Sequence, residues 1–184
     1  QALRYRSYWG EKGGITVSGG EALLQIRSLT ELFRKAKALG INTCLDTSAQ
    51  PFSRETTNFS AFEELMNYTD LILLDIKHID SNAHKQLTGW KNENILDCAR
   101  YLSDIKKPVW IRHVLVPGIN DDDDSLHKLR NFLDSLGNIE RVEVLPYHDL
   151  GVYKWEQLGL PYTLSEVKPP TEENLLHARK ILTE

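Results

Sequence analysis

Five short stretches of this 184-residue chain gather the residue types that do chemistry: Ser18-Gly19-Gly20-Glu21, Asp46-Thr47, Asp75-Ile76-Lys77, Arg112-His113 and Tyr147-His148-Asp149. Asp75 and Lys77 are two apart, so in an extended chain they share a face and address one ligand. A carboxylate beside an ammonium suits a zwitterion or ribose hydroxyls. A lysine at a strand end could instead form a Schiff base, and the pair also reads as a plain strand-end ion pair. Gly19 and Gly20 let the backbone approach a ligand closely, because no Cβ intervenes. The alternative there is a tight βα turn with Glu21 favouring a helix N-terminus. The spacing is not the G-x-G-x-x-G of dinucleotide binding. Arg112 offers a planar fork to a carboxylate, or balances Asp75 inside the fold. His148 could stack on or hydrogen-bond a purine, or be structural or solvated.

Elements that would position these groups are readable. Near-continuous apolar runs at 14–18 (GITVS), 42–46 (NTCLD), 71–77 (LILLDIK), 109–116 (VWIRHVLV) and 141–147 (RVEVLPY) begin roughly 30–40 residues apart, the length of a βα unit. Helical stripes follow four of the five runs, at 22–39, 94–106, 121–136 and 171–182, with Gly40 and Gly137 as stops. No hairpin turn separates the strands, so an α/β fold with a parallel sheet follows. In such folds ligands gather at the carboxyl ends of strands, where the polar stretches lie. Arg112 and His113 are neighbours within a strand, so one must face inward. In the acidic run 121–124, Asn120 or Asp121 is the expected cap of the following helix.

Composition excludes several classes. The net charge of −4 is not that of a polybasic nucleic-acid binder. No apolar run approaches a membrane span or a signal peptide. The 41% hydrophobic content is globular rather than disordered. Cys44 and Cys98 are too few for a disulfide framework or a cysteine-ligated cluster, and read as ordinary buried thiols. Asp121–Asp124 lacks the spacing of a calcium loop, and the four tryptophans are scattered. The chain opens at Gln1 and its one methionine is Met66, which points to a fragment of one domain spanning 1–184.

In order, GGITVSGGEALLQ, TCLDT, LILLDIK, WIRHVLVPGINDDDDS, LPYHDLGVYKWEQLG and VKPP resemble the pyruvate formate-lyase activating enzymes, a family of radical S-adenosylmethionine (SAM) proteins. The resemblance implies a partial (β/α)6 barrel, a [4Fe-4S] cluster and SAM. It implies reductive cleavage of SAM to a 5′-deoxyadenosyl radical that takes hydrogen from a glycine of the partner lyase. By resemblance, Gly19, Gly20 and Glu21 form the loop receiving the SAM amino group, with Asp46 as another partner of that group. Asp75 and Lys77, with Ile76 between them, match contacts to the methionyl and ribose portion; Arg112 lines the pocket and His148 lies at the adenine. Asp46, Thr47, Asp75 and the Leu73 carbonyl resemble a monovalent-cation site.

Two departures matter. The family's first strand and its C-x3-C-x2-C cluster loop are absent, so the chain is expected to be inactive alone and to bind SAM weakly. The stretch Asp46-Thr47-Ser48-Ala49 also lacks the family's frequent glycine after this turn. The parent would be a cytoplasmic enzyme of anaerobic metabolism, served by a flavodoxin- or ferredoxin-type electron donor. The alternatives are an activase of another glycyl-radical enzyme, an iron-free Schiff-base lyase using Lys77, and a non-enzymatic binding domain.

Overall fold

The computed structural model describes residues 2–10, 13–56 and 58–184. Its frame is one sheet of five parallel strands: β1 Gly14–Val17, β2 Asn42–Thr47, β3 Leu71–Asp75, β4 Val109–Leu115 and β5 Ile139–Pro146. Their order across the sheet is their order in the chain. A doubly wound sheet would reverse direction partway; one that never reverses keeps its helices on one side and curls into a partial barrel. This is the α/β architecture expected from the sequence.

The helices are α1 Arg6–Trp9, α2 Ile26–Ala38, α3 Phe59–Met66, α4 Ser81–Thr88, α5 Glu93–Asp104, α6 Asp123–Asp134, α7 Val152–Gln157 and α8 Glu172–Thr183. The expected helix at 22–39 opens as a 3-10 turn, Ala22–Gln25, before α2. Beyond α2, Gly40 takes a φ of 66°, and its N–H reaches the Lys37 carbonyl at 2.9 Å. The cap of α6 is Asp122, whose carboxylate accepts from Ser125 N at 2.9 Å, rather than Asn120 or Asp121. Asp121 instead accepts from Gly118 N, and Asn120 is buried. None of the described helices is long and apolar enough to cross a membrane.

Alternation sorts the strands into two faces. Leu45, Ile72, Leu74, Val109, Ile111, Leu115 and Val144 point toward the helices and form the core with Phe33, Leu65, Leu102, Leu126 and Leu129. Cys44, Asp46, Leu73, Asp75, Trp110, Arg112 and Glu143 occupy the opposite, inner face, where register places them side by side. The alternation persists past the end of β3: Ile76 drops into the core and Lys77 stays with Asp75.

A truncation at the sheet's centre separates core from surface. Ile111→Ala, at a fully buried position, is expected to lose about 2–5 kcal/mol in urea unfolding. Leu32→Ala, on the exposed side of α2, should change stability by no more than about 0.5 kcal/mol.

Candidate functional site

Arg112 joins three strands. From β4 its Nη1 donates to Asp46 Oδ2 at 3.0 Å on β2, its Nη2 donates to Asp46 Oδ1, and its Nε donates to Asp75 Oδ1 at 2.8 Å on β3. Lys77 Nζ completes the group at 2.8 Å from Asp75 Oδ2. The result is two carboxylates, a guanidinium and an ammonium on the inner face, balanced in charge. The Arg112 and Asp46 side chains each retain 20% of their exposure, Asp75 16% and Lys77 32%. Burial works against the Arg112 charge, but Asp75 and Asp46 outweigh it and hold the guanidinium above its ordinary range. Of Arg112 and His113, the arginine faces inward. His113 lies buried toward the helices, its Nδ1 2.8 Å from the Ile76 carbonyl.

The glycine loop after β1 lies at the same end of the sheet. Gly19 and Gly20 adopt φ of 98° and 48°, which a side chain resists, and a Cβ on either would point into open space. Their backbone is therefore presented rather than packed. Glu21 does not join them as a free ligand. Its Oε1 accepts from Leu23 N at 3.0 Å and Thr47 Oγ1 at 2.5 Å, and its Oε2 from Ser48 N at 3.0 Å and Ser48 Oγ at 2.6 Å. The helix-start reading holds: Glu21 caps the 3-10 turn, and it also ties the glycine loop to the end of β2.

That tie also occupies Thr47. Its hydroxyl lies on the face opposite Asp46, donates to Glu21 and accepts from Ala49 N at 2.8 Å. Ala49 itself has φ of 55° and is fully buried. The backbone therefore takes there a conformation that glycine adopts freely, although the sequence supplies alanine.

Ile76 is brought to the site in sequence but not in contact. Its side chain is in the core, its N–H donates to the Arg112 carbonyl at 3.0 Å, and its carbonyl is taken by His113. His148 is exposed beyond the end of β5, two strands over from Asp75. Alongside, Glu21, Ser48, Gln50, Asp75, Lys77, His84 and Trp90 border a cleft of about 330 Å³.

Behind the cleft lies a layer that motif reasoning missed. Asn120, His78, Asn92, His84 and His113 are all buried, and Asn120, His78 and Asn92 bond backbone in the loops after β3 and β4. The signal available was the pairing of histidines and asparagines with strand ends, which sequence spacing alone does not distinguish from capping.

SAM fits this donor set: opposed charges at hydrogen-bonding distance, presented glycine backbone and an exposed imidazole along one sheet end. A [4Fe-4S] cluster does not fit the residues present. Cys44 lies in β2 and Cys98 on α5, burial raises both thiols above their ordinary range, and no group of three His, Cys, Asp or Glu residues able to hold a metal exists among the described residues.

Comparison with known proteins gives the family. The model of the radical SAM superfamily matches residues 1–129, which defines the class. The chain is 53% identical over 182 residues to the pyruvate formate-lyase-activating enzyme of Streptococcus mutans, covering 99% of this chain and 69% of that protein. It is 54% identical over 179 residues to the enzyme of the same name from Staphylococcus epidermidis, covering 97% of this chain and 71% of the relative. A solved domain of pyruvate-formate lyase-activating enzyme from Bacteroides vulgatus superposes with a TM-score of 0.76 at 28% identity, covering 93% of each chain. The chain belongs to the pyruvate formate-lyase-activating enzyme family of radical SAM proteins.

Glu21→Ala would strip the acceptor from Leu23, Thr47 and Ser48 at once. We expect a loss of about 2–4 kcal/mol in urea unfolding, and a loss below about 1 kcal/mol would contradict the tie. Burial pushes the imidazoles of His84 and His113 below their ordinary 6.5, against the pull of the Trp90 and Ile76 carbonyls. Below that pH the unfolded chain takes up protons that the folded one refuses. Stability should therefore be full above about pH 6.5 and fall as the pH drops below it. His113→Gln should flatten part of that acid limb, and constant stability between about pH 7.5 and 5.5 would contradict it.

Proposed function

We propose that this chain binds the methionyl end of SAM at the Asp46–Arg112–Asp75–Lys77 cluster and acts in the activation of pyruvate formate-lyase. The observation that carries this is the charge balance of the cluster. Four charges in two opposed pairs can exchange partners with a zwitterion and leave none uncompensated, whereas a ligand of single sign would strand a half-buried charge. The SAM ammonium falls to Asp46 and Asp75, with backbone of Gly19 and Gly20 at its side. The SAM carboxylate falls to Arg112 or Lys77, and the adenine reaches His148. Glu21 orients the glycine loop from behind, and Ile76 contributes as the spacer that keeps Asp75 and Lys77 on one face.

For a monovalent cation, Asp46 and Asp75 supply hard oxygens and Leu73 pairs with Asp46 in register; the Thr47 hydroxyl is spent on Glu21. SAM, when bound, would supply a 5′-deoxyadenosyl group for hydrogen abstraction from a glycine of the lyase, the one electron for its cleavage coming from a reduced iron–sulfur cluster that the residues of this chain do not hold. The protein's share is to hold SAM rigidly in a site from which water is displaced. A cytoplasmic setting and an electron donor of flavodoxin or ferredoxin type belong to the same proposal. The Schiff-base alternative is less favoured, because the Lys77 amine is engaged with Asp75 at 2.8 Å.

The test supplies the thiolates that two cysteines cannot. The chain is fused behind the cluster-binding strand and loop of an activating enzyme, reconstituted with iron and sulfide, and mixed anaerobically with SAM, reductant and pyruvate formate-lyase. The lyase should develop the doublet of a glycyl radical in electron paramagnetic resonance. Asp75→Asn should lower its yield at least about tenfold. A radical formed only on a different glycyl-radical enzyme, or borohydride trapping of a carbonyl substrate on Lys77, would overturn the assignment.

A further inference from the structure

We propose that Asn120 is a positioning residue: its carboxamide fixes the backbone of Lys77 and thereby holds the Lys77 ammonium on Asp75. The role rests on the assignment of Lys77 to SAM made above, and its geometry stands on its own bonds. The parallel ladder of β3 ends at Asp75, with Ile76 N donating to the Arg112 carbonyl at 3.0 Å as the last rung. Beyond it, Asn120 takes over the work of a neighbouring strand. Its Nδ2 donates to the Lys77 carbonyl at 2.8 Å and to the Val114 carbonyl at 2.9 Å, while its Oδ1 accepts from Val116 N at 2.7 Å. The side chain thus spans from the end of β4 to the residue just past β3 with the donor and acceptor geometry of a peptide group.

Burial makes these bonds obligatory. Asn120 is 1% exposed, so each polar atom of its amide left unpaired would carry a desolvation penalty. The next residues are held by other groups: Asn92 Nδ2 bonds the His78 and Ile79 carbonyls at 2.8 and 2.9 Å, and His78 Nε2 lies 3.2 Å from the Ile119 carbonyl. Asn120 bonds the backbone of Lys77 itself. Lysine is long and flexible, and its ammonium stays on a carboxylate only when its stem starts from a fixed point. Loosening Lys77 would leave Asp75 with Arg112 alone and change the charges that meet SAM.

The test reads Lys77 directly. In the 15N-lysine-labelled chain, Asn120→Ala should move the Lys77 ammonium signal to the position it takes in Asp75→Asn. Asn120→Asp keeps the Val116 bond and loses both donations, so it should do the same if Asn120→Ala fails to fold. Asn138→Ala, which removes another amide from the Lys107 carbonyl, should leave the Lys77 signal in place. In the cluster-bearing fusion, SAM affinity should fall at least about tenfold in Asn120→Ala and fall no further when Lys77→Met is already present. An unmoved Lys77 signal, or an affinity loss that simply adds to that of Lys77→Met, would overturn the proposal. Unchanged SAM affinity in Lys77→Met would instead overturn the SAM assignment of Lys77, and the ammonium signal would then decide the hold of Asn120.

Discussion

The grip of Arg112 on Asp46 and Asp75 is the interaction on which the rest of the site depends. The inner face of this curled parallel sheet is a poor place for a lone charge, since its side chains are largely withdrawn from water. A guanidinium solves this because its planar fork meets one carboxylate with two nitrogens and another with its Nε. The register of β2, β3 and β4 makes the reach possible by aligning Asp46 with Leu73 and Asp75 with Arg112. A lysine at position 112 could satisfy one acid but not fork across both.

Other features hold the partners of that grip in place. Glu21 binds the glycine loop to Thr47 and Ser48, so the loop and the end of β2 move as one body. Ala49 keeps a left-handed backbone immediately after them, at a cost of about 1–2 kcal/mol. The bond of its N–H to Thr47 Oγ1 and the complete burial of its methyl group offset that cost. Lys77 leans on Asp75 from the other side. A ligand with its own opposed charges enters such an arrangement by replacing bonds already made, which explains how a site can be both charged and stable before the ligand arrives.

The frame was largely legible in the residues. Continuous apolar runs at βα spacing led to the parallel strands, and the period of two placed Asp75 and Lys77 on one face beyond the strand's formal end. The family phrases singled out the residues of the cluster, but not how they are wired to one another. Glu21 was legible as a loop residue, whereas three of its four hydrogen bonds reach 26 or 27 positions along the chain and leave no periodic trace. Asn120 looked like a cap because asparagine before an acidic helix start commonly is one, and the actual cap is Asp122. The helices α3 and α4, at 8 residues each, and α7, at 6, were too short to display a repeating stripe.

A crystal structure of the cluster-bearing protein with SAM tests the central claim most directly. The account predicts the SAM ammonium within hydrogen-bonding distance of Asp46 or Asp75, its carboxylate on Arg112 or Lys77, and Glu21 still bonded to Thr47 and Ser48. SAM seated elsewhere, with Arg112 still gripping both carboxylates and Lys77 still on Asp75, would contradict it.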